Sequence, residues 1–236
     1  QELAKKQAAA DQDMRANWTA EHGMLVFGGK GNNIATDKQY GDFELLVDWK
    51  LDPQGEEPDA GIYLRGTPQV QIWDISRVNV GAQVGSGGLY NNKTHPKDPL
   101  KVADNALGEW NTFKIKMVGD KVWVWLNGEQ VVDSTVLENY WDRNQPIFPM
   151  EQIELQAHGS KVWYRDIYLK ELPRKEVFQI TAAEQQKGFE MLFDGTHLDN
   201  WTESTAYEIT PEGYLRANPD AKFGKNLYTK EEFGDL

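Results

Sequence analysis

The residues best suited to chemistry fall in two neighbouring stretches, 61–66 and 69–74, and in a third at 153–158. Read with strand alternation, Ile62 and Leu64 share a side with Val70 and Ile72, and that apolar side belongs in a core. Tyr63, Arg65, Gln69, Gln71 and Trp73 then project from the opposite side, and Glu154, Gln156 and His158 join them by the same alternation. A phenol, a guanidinium, amides and an indole on one sheet face make a floor for a flat polar ligand such as a sugar. The bland alternative is an ordinary solvated sheet face. Asp74 ends its strand, where it either turns into the cleft or caps a turn. Arg65 either meets a ligand or pairs internally with Asp74 or Glu154. His158, before Gly159, is either a titratable group for proton transfer or a hydrogen-bonded structural histidine. Trp110, beside Asn111, is either a plain sheet residue or an edge contact to the same ligand. His158, Asp74 and Glu154 offer nitrogen and oxygen donors that suit a divalent cation, but their spacing matches no metal motif, so no metal site is expected. His95 reads as a solvated loop residue, and His22 and His197 receive no role.

The elements that must position these side chains repeat with a period of two. Phe43, Leu45, Val47, Trp49 and Leu51 alternate with Glu44, Leu46, Asp48 and Lys50. Phe113, Ile115 and Met117 alternate with Lys114 and Lys116, and Val122, Val124 and Leu126 with Trp123 and Trp125. Asn127-Gly128 between apolar runs predicts a tight hairpin turn, because both residues tolerate positive φ. Segments 153–157 and 162–169 complete the set. Many short strands and little helix predict an all-β fold of antiparallel sheets, a sandwich or a barrel. The stretch 76–108 is glycine-rich and polar, too long for a turn, and available to wall the face.

Length and composition narrow the function classes. A chain of 236 residues can build a sizeable core. It carries a formal net charge of −12 and no cysteine. Nucleic acid and anionic membrane surfaces are therefore disfavoured partners, and disulfides and thiolate sites are excluded. No run is long and apolar enough to span a bilayer. Nine Trp, nine Tyr and nine Phe fit either sugar recognition or a large aromatic core.

The chain is also repetitive. Asn33–Asp42 matches Asn226–Asp235 at an offset of 193, and Gly23-Met-Leu25 matches Gly213-Tyr-Leu215. The intervening polar segment contains Thr181-Ala-Ala-Glu184, a capping-box pattern for a short helix. The organisation expected is an arm at 1–16, helical or loose, a sandwich domain at 17–173, a linker with a short helix at 174–188, and the start of a second copy at 189–236. That second copy either docks on the first or belongs to a longer tandem protein. A chain starting at Gln1 without a hydrophobic leader reads as processed or trimmed, so an exported protein of periplasm or cell surface is expected.

The ordered motifs resemble a known family. Residues 188–201, with Leu192-Phe-Asp-Gly195, resemble the opening motif of the 3-keto-disaccharide hydrolase domain. Tyr40-Gly-Asp-Phe-Glu44, Gly61–Gly66, Gln69–Asp74, Gly88-Leu-Tyr90, Gly108–Asn111, Trp125–Gly128, Leu155–Gly159 and Tyr164–Ile167 resemble the rest of it in order. Two positions depart from the family pattern: Asp59-Ala60 stands where Asn-Ser is usual, and Gln69 where Glu is usual. The resemblance implies a concanavalin A-like jelly-roll β-sandwich and a sugar or glycoside ligand. Alternation and residue chemistry, taken together with these motifs, give a candidate substrate-contacting set of Tyr63, Gln69, Gln71, Trp73, Tyr90, Trp110, Glu154 and Gln156, with Arg65, Asp74 and His158 as candidate catalytic residues.

An ordinary glycosidase needs two carboxyl groups flanking the bond, and Gln69 and Gln71 cannot ionise. The resemblance implies a 3-keto sugar, whose ketone acidifies the C2 proton. Elimination and hydration then give net hydrolysis, with His158 or Asp74 as base and Arg65 or an amide holding the developing oxyanion. The alternatives are a non-catalytic carbohydrate-binding module and a protein-interaction sandwich.

Overall fold

The structure is a computed structural model, and it describes residues 2–66, 68–145, 147–172, 180, 182–202, 206–210, 213–218 and 226–234. The chain divides into two compact units, 1–172 and 173–236. The first opens with helix α1 (Glu2–Asn17). Eleven strands follow: β1 (Trp18–Glu21), β2 (Met24–Phe27), β3 (Ile34–Ala35), β4 (Phe43–Leu51), β5 (Asp59–Tyr63), β6 (Gln69–Trp73), β7 (Asn111–Val118), β8 (Lys121–Leu126), β9 (Glu129–Val136), β10 (Glu154–Leu155) and β11 (Val162–Glu171).

They form two antiparallel sheets. The larger runs β1-β2-β11-β4-β7-β8-β9 and the smaller β3-β10-β5-β6. The alternation expected from sequence sets the inner faces. Phe43, Leu45, Val47, Trp49 and Leu51 of β4 are buried beside Phe113, Ile115 and Met117 of β7 and Val122, Val124 and Leu126 of β8. Ala60, Ile62, Val70 and Ile72 of the smaller sheet belong to the same core. Burying one such side chain contributes roughly 1.5–3 kcal/mol. Phe113→Ala would cost about 3–5 kcal/mol through the cavity it leaves. The Asn127-Gly128 turn has φ of 53° and 86°, and Leu126 pairs with Glu129 across it. The fold is the antiparallel β-sandwich that the sequence predicts.

Two features prepare the site. The stretch after β6 does not leave the sheet: Gln71 donates to the Gly88 carbonyl, Gly87 donates back to Gln71, and Val70 bridges Leu89. This segment covers the outer edge of β6 and so satisfies backbone groups that an edge strand would expose. On the other side, β10 pairs with β5, Glu154 opposite Tyr63 and Leu155 opposite Ile62.

The second unit holds helix α2 (Ala182–Gln186) and a hairpin of β12 (Tyr207–Ile209) and β13 (Leu215–Ala217). Thr181, the expected cap of that helix, and Asp235 at the end of the repeat lie outside the described residues. Thr36 donates its hydroxyl to the Lys38 carbonyl, and Thr229, which the repeat aligns with it, donates to that of Glu231. Among the described residues of this unit only Ala206 is buried, while Phe189, Leu192, Tyr214 and Tyr228 are exposed.

Candidate functional site

Register and parity place nine positions on one face of the smaller sheet. Asp59 pairs with Trp73, Gly61 with Gln71 and Tyr63 with Gln69. Glu154 pairs with Tyr63, and the Gln156 amide donates to the Gly61 carbonyl. The rows are therefore Glu154–Tyr63–Gln69, Gln156–Gly61–Gln71 and, with His158 beside Asp59, His158–Asp59–Trp73. From Asp59 to Tyr63 the face runs about 13 Å at the usual rise of a strand.

The middle row explains why the central glycine belongs there. A Cβ on Gly61 would come within 2.9 Å of Gln69 Cδ and 3.0 Å of Gln156 Oε1. The two glutamines close over the bare backbone. Gln69 donates from its side-chain amide to Gln71 Oε1, and Gln71 Nε2 lies 3.3 Å from Asp59 Oδ1 as donor. Gln156 donates through Nε2 to the Tyr63 hydroxyl at 3.2 Å. Gln69 and Gln71 are thus 4% and 2% exposed, not an open floor as expected from sequence. Their amides are buried against each other, against Asp59 and in the space that Gly61 leaves beside Gln156.

The electrostatic centre is Asp59. Its carboxylate lies 3.7 Å from His158 Nδ1 and 3.7 Å from Arg77 Nη1, and Arg77 Nη2 reaches Glu57 at 3.8 Å. Burial pushes the Asp59 carboxyl above its ordinary range, and the positive charges of His158 and Arg77 oppose but do not cancel that push. His158 Nδ1 is buried and makes no hydrogen bond, although its ring is half exposed. Arg77 Nη1, Gln69 Oε1 and Gln156 Oε1 are likewise buried without a hydrogen bond. Burial, and then the Glu154 carboxylate, hold the Tyr63 phenol above its ordinary range, so it stays a donor. Trp73 and Tyr90 meet edge to face at 5.7 Å and supply an aromatic wall beside Asp59.

Three expected site residues lie elsewhere. Arg65 is 1% exposed and points away from the face. Its guanidinium donates to the carbonyls of Gly41, Gly119 and Phe148 and pairs with Asp42 at 2.7 Å, not with Asp74 or Glu154. The strand ends at Tyr63 and Arg65 has φ of 50°, so alternation no longer governs it. Asp74 caps a turn, accepting from the Ser76 N–H at 3.0 Å and the Ser76 hydroxyl at 2.8 Å. Trp110 lies under the Arg165 guanidinium at 4.0 Å and Lys50 at 5.0 Å, on the outward side of the larger sheet. Among the described residues, no three His, Asp or Glu side chains are gathered as a metal site, so His158, Asp74 and Glu154 form no such cluster.

Two charged residues at this end of the face, Asp59 and Arg77, are not among the candidates expected from sequence. Asp59 shares parity with Gly61 and Tyr63, so strand alternation alone places it on the face. Arg77 sits in the long polar stretch, where no period assigns a direction.

The sequence model of a family described as "3-keto-alpha-glucoside-1,2-lyase-like domain" matches residues 4–170. A protein named 3-keto-disaccharide hydrolase from Bacteroides thetaiotaomicron is 25% identical, over 66% of this chain and 71% of its own length. Two crystal structures of candidate glycosyl hydrolases from Parabacteroides distasonis are similar in fold. One has a TM-score of 0.56 at 24% identity, covering 66% of this chain and 91% of that one. The other has a TM-score of 0.54 at 23% identity, covering 66% and 84%.

Proposed function

The chain belongs to the 3-keto-alpha-glucoside-1,2-lyase-like domain family, and from that premise we propose that it cleaves 3-keto-glycosides, 3-keto-disaccharides among them, by elimination and hydration. The observation that carries this reading is the pairing of His158 Nδ1 with the buried Asp59 carboxylate at 3.7 Å, at one end of the face. With Nδ1 turned inward, Nε2 is the nitrogen left for a substrate.

A ketone at C3 acidifies the proton on C2. His158 Nε2 takes that proton, and the C2–H electron pair becomes the C2=C3 bond of an enolate, with negative charge on the C3 oxygen. The enolate collapses: C3=O re-forms, C1=C2 forms, and the C1–O bond breaks with its electron pair on the departing oxygen. The imidazolium protonates that oxygen. Water then adds across C1=C2, hydroxyl to C1 and hydrogen to C2, and no atom has changed its total oxidation level. Asp59 acts through His158, its negative charge at 3.7 Å favouring the imidazolium. Arg77 places positive charge near the same end, where it favours the developing enolate oxygen. Trp73 and Tyr90 hold the sugar ring in ground and transition states alike.

A binding-only carbohydrate module is the second reading. It is favoured by Gln69 and Gln71, which stand where paired carboxylates would serve an ordinary glycosidase. Incubating the protein with a 3-keto-glucoside and with the parent glucoside separates the two. Release of 3-ketoglucose from the first alone is expected. Binding of either without release would leave the module.

A further inference from the structure

Of the nine tryptophans, Trp141 is the one that is exposed, at 72%, and it belongs to a loop that is fastened at many points. Asn139 is buried, and its Oδ1 accepts from the N–H groups of Trp141 and Asp142 at 3.0 and 3.1 Å. Glu138 accepts from three successive backbone N–H groups, Lys93, Thr94 and His95, at 2.7–2.9 Å, and from Arg143 at 3.0 Å. The Arg143 guanidinium lies 5.5 Å from the Tyr140 ring centre, and Tyr140 meets Trp141 edge to face at 5.1 Å. The backbone beneath the two rings is therefore fixed, and the rings together present an exposed apolar patch.

The fastening leads back to the face. The Glu138 N–H donates to Asn92 Oδ1, Asn92 Nδ2 donates to the Val136 carbonyl, and neighbouring Asn91 accepts from the Gln69 backbone N–H. The aromatic loop is thus anchored beside the Tyr63–Gln69 row, the end of the face away from Asp59 and His158. Tyr140 is near enough to Tyr63 to help raise its pKa.

We propose that Tyr140 and Trp141 form the subsite for the leaving half of the substrate, a second pyranose ring, so that the protein favours disaccharides over small alkyl glycosides. This rests on the function proposed above. The face is about 13 Å long between its two ends, and that length leaves room for a second ring once the reacting ring sits at His158. Aromatic faces stack on the C–H faces of a pyranose, whereas a methyl group reaches neither ring.

The test compares a 3-keto-disaccharide with methyl 3-keto-glucoside as substrates of the wild-type chain and of Trp141→Ala and Tyr140→Ala. The ratio of kcat/KM for disaccharide over methyl glycoside should fall about fivefold in each variant, through KM for the disaccharide. Melting temperature should be unchanged in Trp141→Ala, since Trp141 is solvent-exposed. Equal ratios in wild type and variants would overturn the subsite while leaving the reaction intact. If the wild type turns over neither compound, the function reading has failed, and calorimetric binding of the same two compounds still decides the subsite. A disaccharide preference lost in Trp141→Ala supports it, and no such preference in the wild type refutes it.

Discussion

On the outward side of the larger sheet, long cations meet rings and carboxylates. Lys50 lies 4.6 Å from Trp163 and 5.0 Å from Trp110, Lys114 lies 5.2 Å from Trp125, and Lys116 lies 5.3 Å from Trp123. Arg165 covers Trp110 and pairs with Asp48 at 3.2 Å. The outward side of the smaller sheet mixes the same residue types, yet there His158 Nδ1, Arg77 Nη1, Gln69 Oε1 and Gln156 Oε1 are buried without hydrogen bonds. A polar group left unpaired in low dielectric is costly, and native proteins keep such groups chiefly where function requires them. Composition cannot separate the two faces. Saturation does, because the polar groups named on the larger sheet meet rings and carboxylates, whereas four on the smaller sheet are left without a hydrogen bond.

The largest expected effect lies on the unsaturated face. His158→Ala and Asp59→Asn should each lower turnover of a 3-keto-glucoside by at least about a hundredfold, the range of general base catalysis. Asp59→Asn should not lower the melting temperature at pH 7. The raised pKa means that the folded state holds its proton more tightly than the unfolded chain, so ionisation costs stability as pH rises through that range, and Asn removes the cost. A collapse of the fold in both variants would make this face structural and erase the contrast.

Arg65 sharpens the contrast from the other side, because its charge is fully answered in the interior. Arg65→Met strands Asp42 and several carbonyls, and should cost about 3–5 kcal/mol, a fall of roughly 10 °C in Tm. An unmoved Tm with lost turnover would return Arg65 to the site.

Acid probes the loop that borders the face. Burial opposes the charge of Glu138, but hydrogen bonds from His95, Lys93 and Thr94 outweigh it and hold the carboxyl down at about 2. A depressed folded pKa gives stability that is present above the unfolded value and lost as pH falls toward 2. Thermal melts between pH 4.5 and 2 should therefore fall more steeply for wild type than for Glu138→Gln. Parallel curves would mean that the clamp does not hold the loop.

The smallest effects belong to the saturated face. Trp123→Ala and Trp125→Ala should each cost about 0.5–1 kcal/mol and leave turnover unchanged. A large loss of turnover in either would show that the larger sheet takes part in the chemistry.

How much of this was legible depended on whether a strand's parity could be carried to the residue in question. Parity fixed the inward row of β4 and the placement of Tyr63, Gln69, Gln71 and Trp73 on the face opposite the core. Carried two steps back from Gly61, parity also places Asp59 on the face, and carried one step back from inward Asn111 it turns Trp110 away from the site; the expectation took neither step, leaving Asp59 out of the candidates and Trp110 among them. Parity failed at Arg65, which lies past the end of β5 in a left-handed conformation. Burial of the two glutamines was hidden for a different reason. Their side chains close against Asp59, Gly61 and Gln156, and local pattern carries no information about contacts so distant along the chain.

The most direct test follows the C2 proton. The protein is incubated with a 3-keto-glucoside in D2O, beside 3-ketoglucose kept under the same conditions without protein, and the products are read by mass spectrometry and NMR. Elimination and hydration predict one deuterium at C2 of the released 3-ketoglucose, above the exchange of the control, and no release by His158→Ala. Release of 3-ketoglucose that keeps its C2 proton would mean direct displacement at C1, and would contradict the roles given to His158 and Asp59.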